Sequence, residues 1–215
     1  MFLLPHTLKF CLYLSYYFQV INKIIFFTVI PLFLILAIFS NKIIKYIFGQ
    51  TYLEVSGLFV LSAGFLTIIQ FNYAYTSILY VLEKSKIMFI ASWSAVYNLI
   101  MDLILIPKFG ILGAILATGS AGVFLLPYYY FTLKKEGEIK LRYPWKSFIK
   151  FSLNTIPFCI VLFLMKNFIS NAILLIGILI VGAIIYLISS YLNKGFDEKD
   201  RELFNRTIGK KLWVF

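Results

Sequence analysis

Residues 98–122 read NLIMDLILIPKFGILGAILATGSAG. An apolar run reaches Pro107, Lys108 and Phe109 follow, and Gly110 opens a second apolar run. Proline cannot continue a helix without losing a hydrogen bond, and glycine permits a reversal. The pattern predicts two helices joined by a tight turn at residues 107–110. In the second helix Gly110, Ala114, Thr118 and Gly122 recur every four residues, beside a parallel row of Gly113, Ala117 and Ala121. Small residues at this spacing let two helix backbones approach closely in lipid. The stretch reads as a membrane hairpin built for close packing.

The surrounding chain is made of the same material. Of 215 residues, 61% are hydrophobic and 13% charged, with a mean hydropathy of +0.91. Soluble domains are about half apolar and about a quarter charged. The fold expected is all-α: a polytopic membrane bundle of about six transmembrane helices plus an N-terminal interfacial helix. The formal charge of +11 does not point to nucleic acid, because the basic residues sit in short loops between apolar runs. They read as topology determinants and contacts for anionic headgroups. Cys11 and Cys159 lie in apolar surroundings without a CxxC pattern and read as inert thiols.

Residues 1–23 carry a polar stripe of His6, Lys9, Tyr13, Tyr16, Gln19 and Lys23 at spacings of three or four. That pattern suits a helix lying in the interface, since a charged stripe is costly in hydrocarbon. Spans are expected at about 24–39 (with Pro31), 52–82, 85–106, 110–133, 145–164 (with Pro157) and 171–192. A proline inside a span also frees a backbone carbonyl. The second span, taken as one helix, is roughly 46 Å long against a core of about 30 Å. Pro127 and the tyrosines at 128–130 close the fourth span as an aromatic belt. The chain thus divides into an interfacial segment, 1–23, a transmembrane bundle, 24–193, and a tail, 194–215, with a short surface helix at about 197–206. Loops on one side, with the tail, hold fourteen lysines and arginines, and the other side holds Lys42, Lys45, Lys108 and Lys166. This bias places both termini in the cytoplasm of a multi-pass plasma-membrane protein.

A proline-containing span, then FGQTY at 48–52, a long span ending VLEKSK at 81–86, and NLIMDLILIPKFGILGAILAT at 98–118 form an ordered set. It resembles the C-terminal half of the polysaccharide and oligosaccharide-lipid flippases, in the multidrug/oligosaccharidyl-lipid/polysaccharide exporter superfamily. The likeness covers about 22–208. It implies half of a two-lobed transporter that moves lipid-diphosphate-linked oligosaccharide by alternating access, without ATP hydrolysis. It also implies a partner chain supplying the N-terminal lobe. The alternatives are a multidrug or small-solute exporter half, or a non-transporting truncated or structural membrane protein. An enzyme is not expected: the outer loops are short, and neither GxxxxGK[ST] nor HExxH occurs. No metal and no cofactor are expected, transport being coupled instead to a proton or sodium gradient.

Ser94, Asn98 and Asp102 are four apart and share one helix face. With the helix ending at 106, Asp102 lies about four residues, roughly 6 Å, from its outer end. Ionisable groups inside spans mark pathways and ion sites. The three residues are candidates to line a cavity, bind a coupling cation or exchange a proton. The plainer reading has Asp102 reaching the interface or Lys108, and Asn98 bonding one helix to another. A second polar group is Gln70, Asn72, Tyr73, Tyr75, Thr76 and Ser77, from which Gln70, Tyr73 and Ser77 are chosen as a shared face for sugar hydroxyls. Lys134, Lys135, Lys140 and Arg142 are candidate contacts for a headgroup or a lipid diphosphate. Gly49, Tyr52, Pro107, Gly110, Gly113 and Ala114 carry the resemblance, and their physical reading is turn and packing. The partners expected are the bilayer, the lipid-linked oligosaccharide and the partner lobe, with no nucleic acid.

Overall fold

A computed structural model describes residues 6–136 and 141–209. Lys140 lies outside them, as do the side chains of His6 and Lys9. The described chain is helical: α1 His6–Ile47, α2 Ser56–Ile69, α3 Asn72–Val81, α4 Ser85–Phe109, α5 Ile111–Glu136, α6 Trp145–Met165, α7 Ala172–Leu192 and α8 Glu198–Ile208, with 3₁₀ turns at Gln50–Val55 and Lys166–Phe168. Among the described residues six segments are long and apolar enough to cross a membrane: Phe10–Ile47, Gln50–Val81, Ser85–Phe109, Ile111–Lys135, Trp145–Phe168 and Ala172–Leu192. The chain is an all-α, multi-pass membrane bundle. Its contacts separate into two units, one from Met1–Ile25 and Gly57–Tyr143, the other from Phe26–Ser56 and Pro144–Phe215.

The first unit is organised on the α4–α5 hairpin. The turn is tighter than the proline suggested. α4 continues through Pro107 to Phe109, and Gly110 alone makes the reversal, at φ +57° and ψ −131°. Proline's missing N–H costs only the bond to the Leu103 carbonyl. The last turn survives because the Gly110 N–H donates to the Ile106 carbonyl at 2.8 Å. A Cβ on Gly113 would lie 2.3 Å from the Leu105 carbonyl oxygen, so here backbone meets backbone. On the face toward α2, the Phe65 ring and the Ile69 side chain occupy the space a Cβ on Gly119 or Gly122 would take, at 2.4 Å in each case.

Two expectations about helix boundaries are corrected. Residues 6–23 are not a separate helix, because α1 runs unbroken from His6 to Ile47. The last residue of their stripe, Lys23, is 5% exposed, beside Asn22 at 0%. At about 63 Å, α1 exceeds the hydrocarbon thickness, so part of it protrudes or tilts. The second span is not one helix. It opens with the 3₁₀ turn that Gly49 precedes and is broken at Gln70 and Phe71 between α2 and α3.

The second unit is built on aromatic packing among α1, α6 and α7. Phe39, Phe158, Leu162, Ile178 and Tyr186 form its buried core. Pro31 has no N–H to offer the Phe27 carbonyl one turn back. The Tyr186 hydroxyl donates to that carbonyl at 2.9 Å, and its ring packs 5.3 Å from Phe27. The carbonyl freed by proline is thereby matched across 159 positions of sequence. Asn171 caps α7 by accepting from Leu174 N–H at 2.8 Å. Asp197 and Asp200 form a reciprocal capping box at the start of α8.

Two outcomes follow for stability, both read from thermal unfolding in detergent. Gly113→Ala should destabilise by about 1–3 kcal/mol through overpacking against backbone, whereas Gly177→Ala, with open space around it, should cause no loss. Tyr186→Phe should cost about 1–3 kcal/mol by leaving the Phe27 carbonyl unmatched, and an unchanged melting temperature would remove that hydrogen bond from the account.

Candidate functional site

The break between α2 and α3 contains neither proline nor glycine. At Gln70–Phe71 the Phe71 N–H turns to the Ile68 carbonyl (3.2 Å) and the Tyr73 N–H to the Gln70 carbonyl (3.0 Å). Both donors thereby leave the Thr67 and Ile69 carbonyls that an unbroken helix would give them. Tertiary contact holds this geometry. The Asn72 amide Nδ2 donates to the Gly122 carbonyl of α5 at 2.7 Å, and Ile69 sits on the bare backbone of the same glycine. Asn72 is 8% exposed, and its Oδ1 is buried with no hydrogen-bond partner. The donor assignment is fixed, because the reversed amide would set oxygen against oxygen. Broken helices in membranes are tolerated where the freed groups are buried in protein or line a cavity.

α4 carries a separate polar group. Asn98 and Asp102 are half-buried, one turn apart, and the Oδ1 of each is buried with no partner. Because α4 extends to Phe109, Asp102 lies seven residues, about 10 Å, from the helix end, deeper than a helix ending at 106 implied. Ser94, one turn earlier, is half-buried. Beside them Tyr97 donates to the Ser120 hydroxyl of α5 at 3.3 Å. A cleft of about 230 Å³ between α2 and α5 has Ser62, Ala114, Thr118 and Gly119 in its walls.

The remaining sequence candidates disperse. Gln70 lies in the break, so its helical phase with Tyr73 and Ser77 is lost. Tyr73 is 65% exposed, and the Ser77 hydroxyl is spent on the Tyr73 carbonyl at 2.8 Å. Tyr75 instead is buried, stacked 6.2 Å from Tyr129 and accepting from the Tyr143 hydroxyl. Burial raises the pKa of Tyr143, which lies outside the spans, with the hydrogen bond to Tyr75 opposing the shift. Lys134, Lys135 and Arg142 are exposed, and Lys134 sits 5.8 Å over the Tyr130 ring. Gly49 precedes the 3₁₀ turn at φ +99°, and Tyr52 packs edge-on to Phe48. Sequence reading missed Asn22 and Lys23, a buried polar pair inside a span. The Asn22 Nδ2 donates to the Phe18 carbonyl at 2.8 Å while its Oδ1 has no partner. The signal was an Asn-Lys dipeptide in an apolar run, and attribution of Lys23 to an amphipathic stripe hid it.

In this first unit the buried side-chain atoms without partners are therefore all acceptors: one oxygen each on Asn22, Asn72, Asn98 and Asp102, among the described residues. Each such acceptor suits a hydroxyl, a water or a cation and repels an anion; only Asn98 and Asp102 lie one turn apart on one helix, and none of the four lines the α2–α5 cleft.

Comparison with known proteins gives this geometry a context. A stretch of 110 residues, 51% of the chain, is 32% identical to the lipid II flippase MurJ of Thermosipho africanus (strain TCF52B). The chain is similar to part of a lipid-linked oligosaccharide flippase. It spans 22% of that relative's length. A solved structure of lipid II flippase MurJ, in an inward closed conformation, shares the fold over 92% of this chain and 40% of its own, with a TM-score of 0.67 and 24% identity. No family model matches the chain. The resemblance read from FGQTY and from the 98–118 motif is thus upheld over part of the flippase length.

Asn72→Leu should lower the stability of the purified protein by about 1–2 kcal/mol, the scale of an interhelical hydrogen bond in lipid. Gln70→Ala, at an exposed position in the same break, should leave the melting temperature unchanged. Equal effects would mean that Asn72 does not hold the break.

Proposed function

We propose that this chain is one lobe of a flippase that carries lipid-diphosphate-linked oligosaccharide across the plasma membrane by alternating access. A second set of helices completes the transport path, both termini face the cytoplasm, and a proton or sodium gradient drives the cycle. The observation that carries this reading is the 32% identity over 110 residues to a lipid II flippase. The shared fold over 92% of the chain is consistent with it.

Within this reading, Asn98 and Asp102 form the coupling site. A carboxylate and an amide oxygen one turn apart, each buried without a partner, offer hard oxygen ligands to a monovalent cation or a place for a proton. Binding there neutralises a charge inside the bundle, and so favours whichever arrangement of the helices buries Asp102 more deeply. Alternating access needs such a bias between two conformations. The exposed Lys134, Lys135 and Arg142 supply positive charge for the diphosphate at the cytoplasmic side.

Depleting the protein from its cells should cause lipid-linked oligosaccharide to accumulate in the inner leaflet and reduce its export. Unchanged export would end the transport reading. Asp102→Asn, produced at the normal level in the membrane, should lower transport at least tenfold and remove its dependence on the ion gradient. Full complementation by that variant would take coupling away from this residue. Co-purification from native membranes in mild detergent should bring down a second helical lobe.

A further inference from the structure

We propose that an apolar groove in the first unit holds one acyl chain of a resident anionic phospholipid, whose headgroup is received by the lysines at the end of α3. This inference is independent of the transport reading.

The groove, of about 230 Å³, runs between the N-terminal half of α1 and α3, with Tyr13, Leu14 and Tyr17 on one wall and Ser77, Ile78 and Val81 on the other. Its floor is closed, since Leu14 and Ile78 are 4% and 1% exposed, while Tyr13 and Val81 stand open at 65% and 56%. The groove holds no unmet polar demand on the α3 side, because the Ser77 hydroxyl is already bonded to the Tyr73 carbonyl. Both walls belong to segments apolar enough to span a membrane. Left empty, the groove forfeits dispersion contacts along both walls, and water finds no partners there. A hydrocarbon chain of the surrounding lipid fits both conditions.

The charge at the end of α3 selects the headgroup. Glu83 at φ +54° reverses the chain, and the Lys84 N–H donates back to the Leu79 carbonyl at 3.0 Å. Lys84 and Lys86, at the start of α4, follow the groove residue Val81 by three and five residues across this reversal. Tyr129 stacks on Tyr75 at 6.2 Å, which brings the last turn of α5, with exposed Lys134 and Lys135, toward the same part of the unit. Glu83 offsets one of these charges, and exposed Lys86, Lys134 and Lys135 keep the balance positive. Basic residues beside an apolar groove between helices match an anionic phospholipid, tail and head together. Tyrosine rings on the α1 wall suit the boundary between chain and headgroup.

The test uses the full chain reconstituted in phosphatidylcholine vesicles containing a trace of phosphatidylglycerol with a diazirine on one acyl chain, or phosphatidylcholine bearing the same chain. After photolysis, labelled peptides are mapped by mass spectrometry. Labelling of residues 10–21 and 77–81 should exceed that of the exposed α7 face at Ile173, Ile176 and Ile180 several-fold. The phosphatidylglycerol probe should label the groove several-fold more than its phosphatidylcholine counterpart. The double variant Lys84→Gln/Lys86→Gln should weaken that headgroup preference several-fold, and Val81→Trp should block the groove labelling while the α7 signal persists. Equal labelling of the groove and the α7 face in the unaltered protein would overturn the proposal without recourse to any variant. So would a headgroup preference that the double lysine change leaves undiminished. Displacement of the probe by polyprenyl diphosphate, but not by unlabelled phosphatidylglycerol, would overturn it in favour of a carrier lipid.

Discussion

The approach of α4 to α5 at Gly113 is the contact on which the first unit depends. In lipid there is no hydrophobic force between helices, because acyl tails are as apolar as leucine. Association rests on close fit, and the closest fit is backbone on backbone. With a Cβ at Gly113 excluded by the Leu105 carbonyl, the two helices reach a separation that larger residues would forbid. The same device repeats on another side of α5, where Gly119 and Gly122 receive Phe65 and Ile69. α5 is therefore a spine with bare backbone toward two neighbours. The hydrogen bond from Asn72 to Gly122 follows from it, since a side chain at that position would hold α3 away.

Much of this was legible because membrane sequences are punctuated simply. Apolar runs of sufficient length, separated by Gly49, Gly110 and charged loops, gave the six spans, and the small-residue rows at 110–122 marked the packing face. The features that escaped share a cause: tertiary contacts decide them. The break at Gln70–Phe71 has no local breaker and exists through Asn72, Ile69 and Gly122. The helix running through Pro107 reflects one compensating bond from Gly110. Lys23 reads as the end of an interfacial stripe, yet it and its neighbour Asn22 are buried, because burial depends on what packs against α1. Periodicity reports one helix's own faces and not which neighbour covers them.

The site residues were legible to different degrees for the same reason. Asn98 and Asp102 stood out because amides and carboxylates are costly in apolar runs, and their spacing alone put them on one face. The face assigned to Gln70, Tyr73 and Ser77 assumed an unbroken helix, and the break removes Gln70 from that phase. Tyr75, which packing selects for the interior, could not be told from Tyr73 by residue type.

The unmatched polar atoms of the two units differ in kind, and the difference constrains the chemistry. In the second unit the Phe27 carbonyl freed by Pro31 is met by Tyr186, Asn193 donates to Asn154, and the unmatched buried atoms among the described residues are nitrogens, on Asn154 and Arg201. In the first unit they are oxygens, on Asn22, Asn72, Asn98 and Asp102. Leaving a buried acceptor without a donor costs about 1–3 kcal/mol, and more for a charged one. Four such oxygens in one unit are a standing demand for donors or positive charge. Sugar hydroxyls, waters and cations meet that demand, and a diphosphate does not. Phosphate groups find their complement elsewhere, in exposed lysines and arginines such as Lys134, Lys135 and Arg142, so the first unit keeps its unmet acceptors and its free positive charge on different residues.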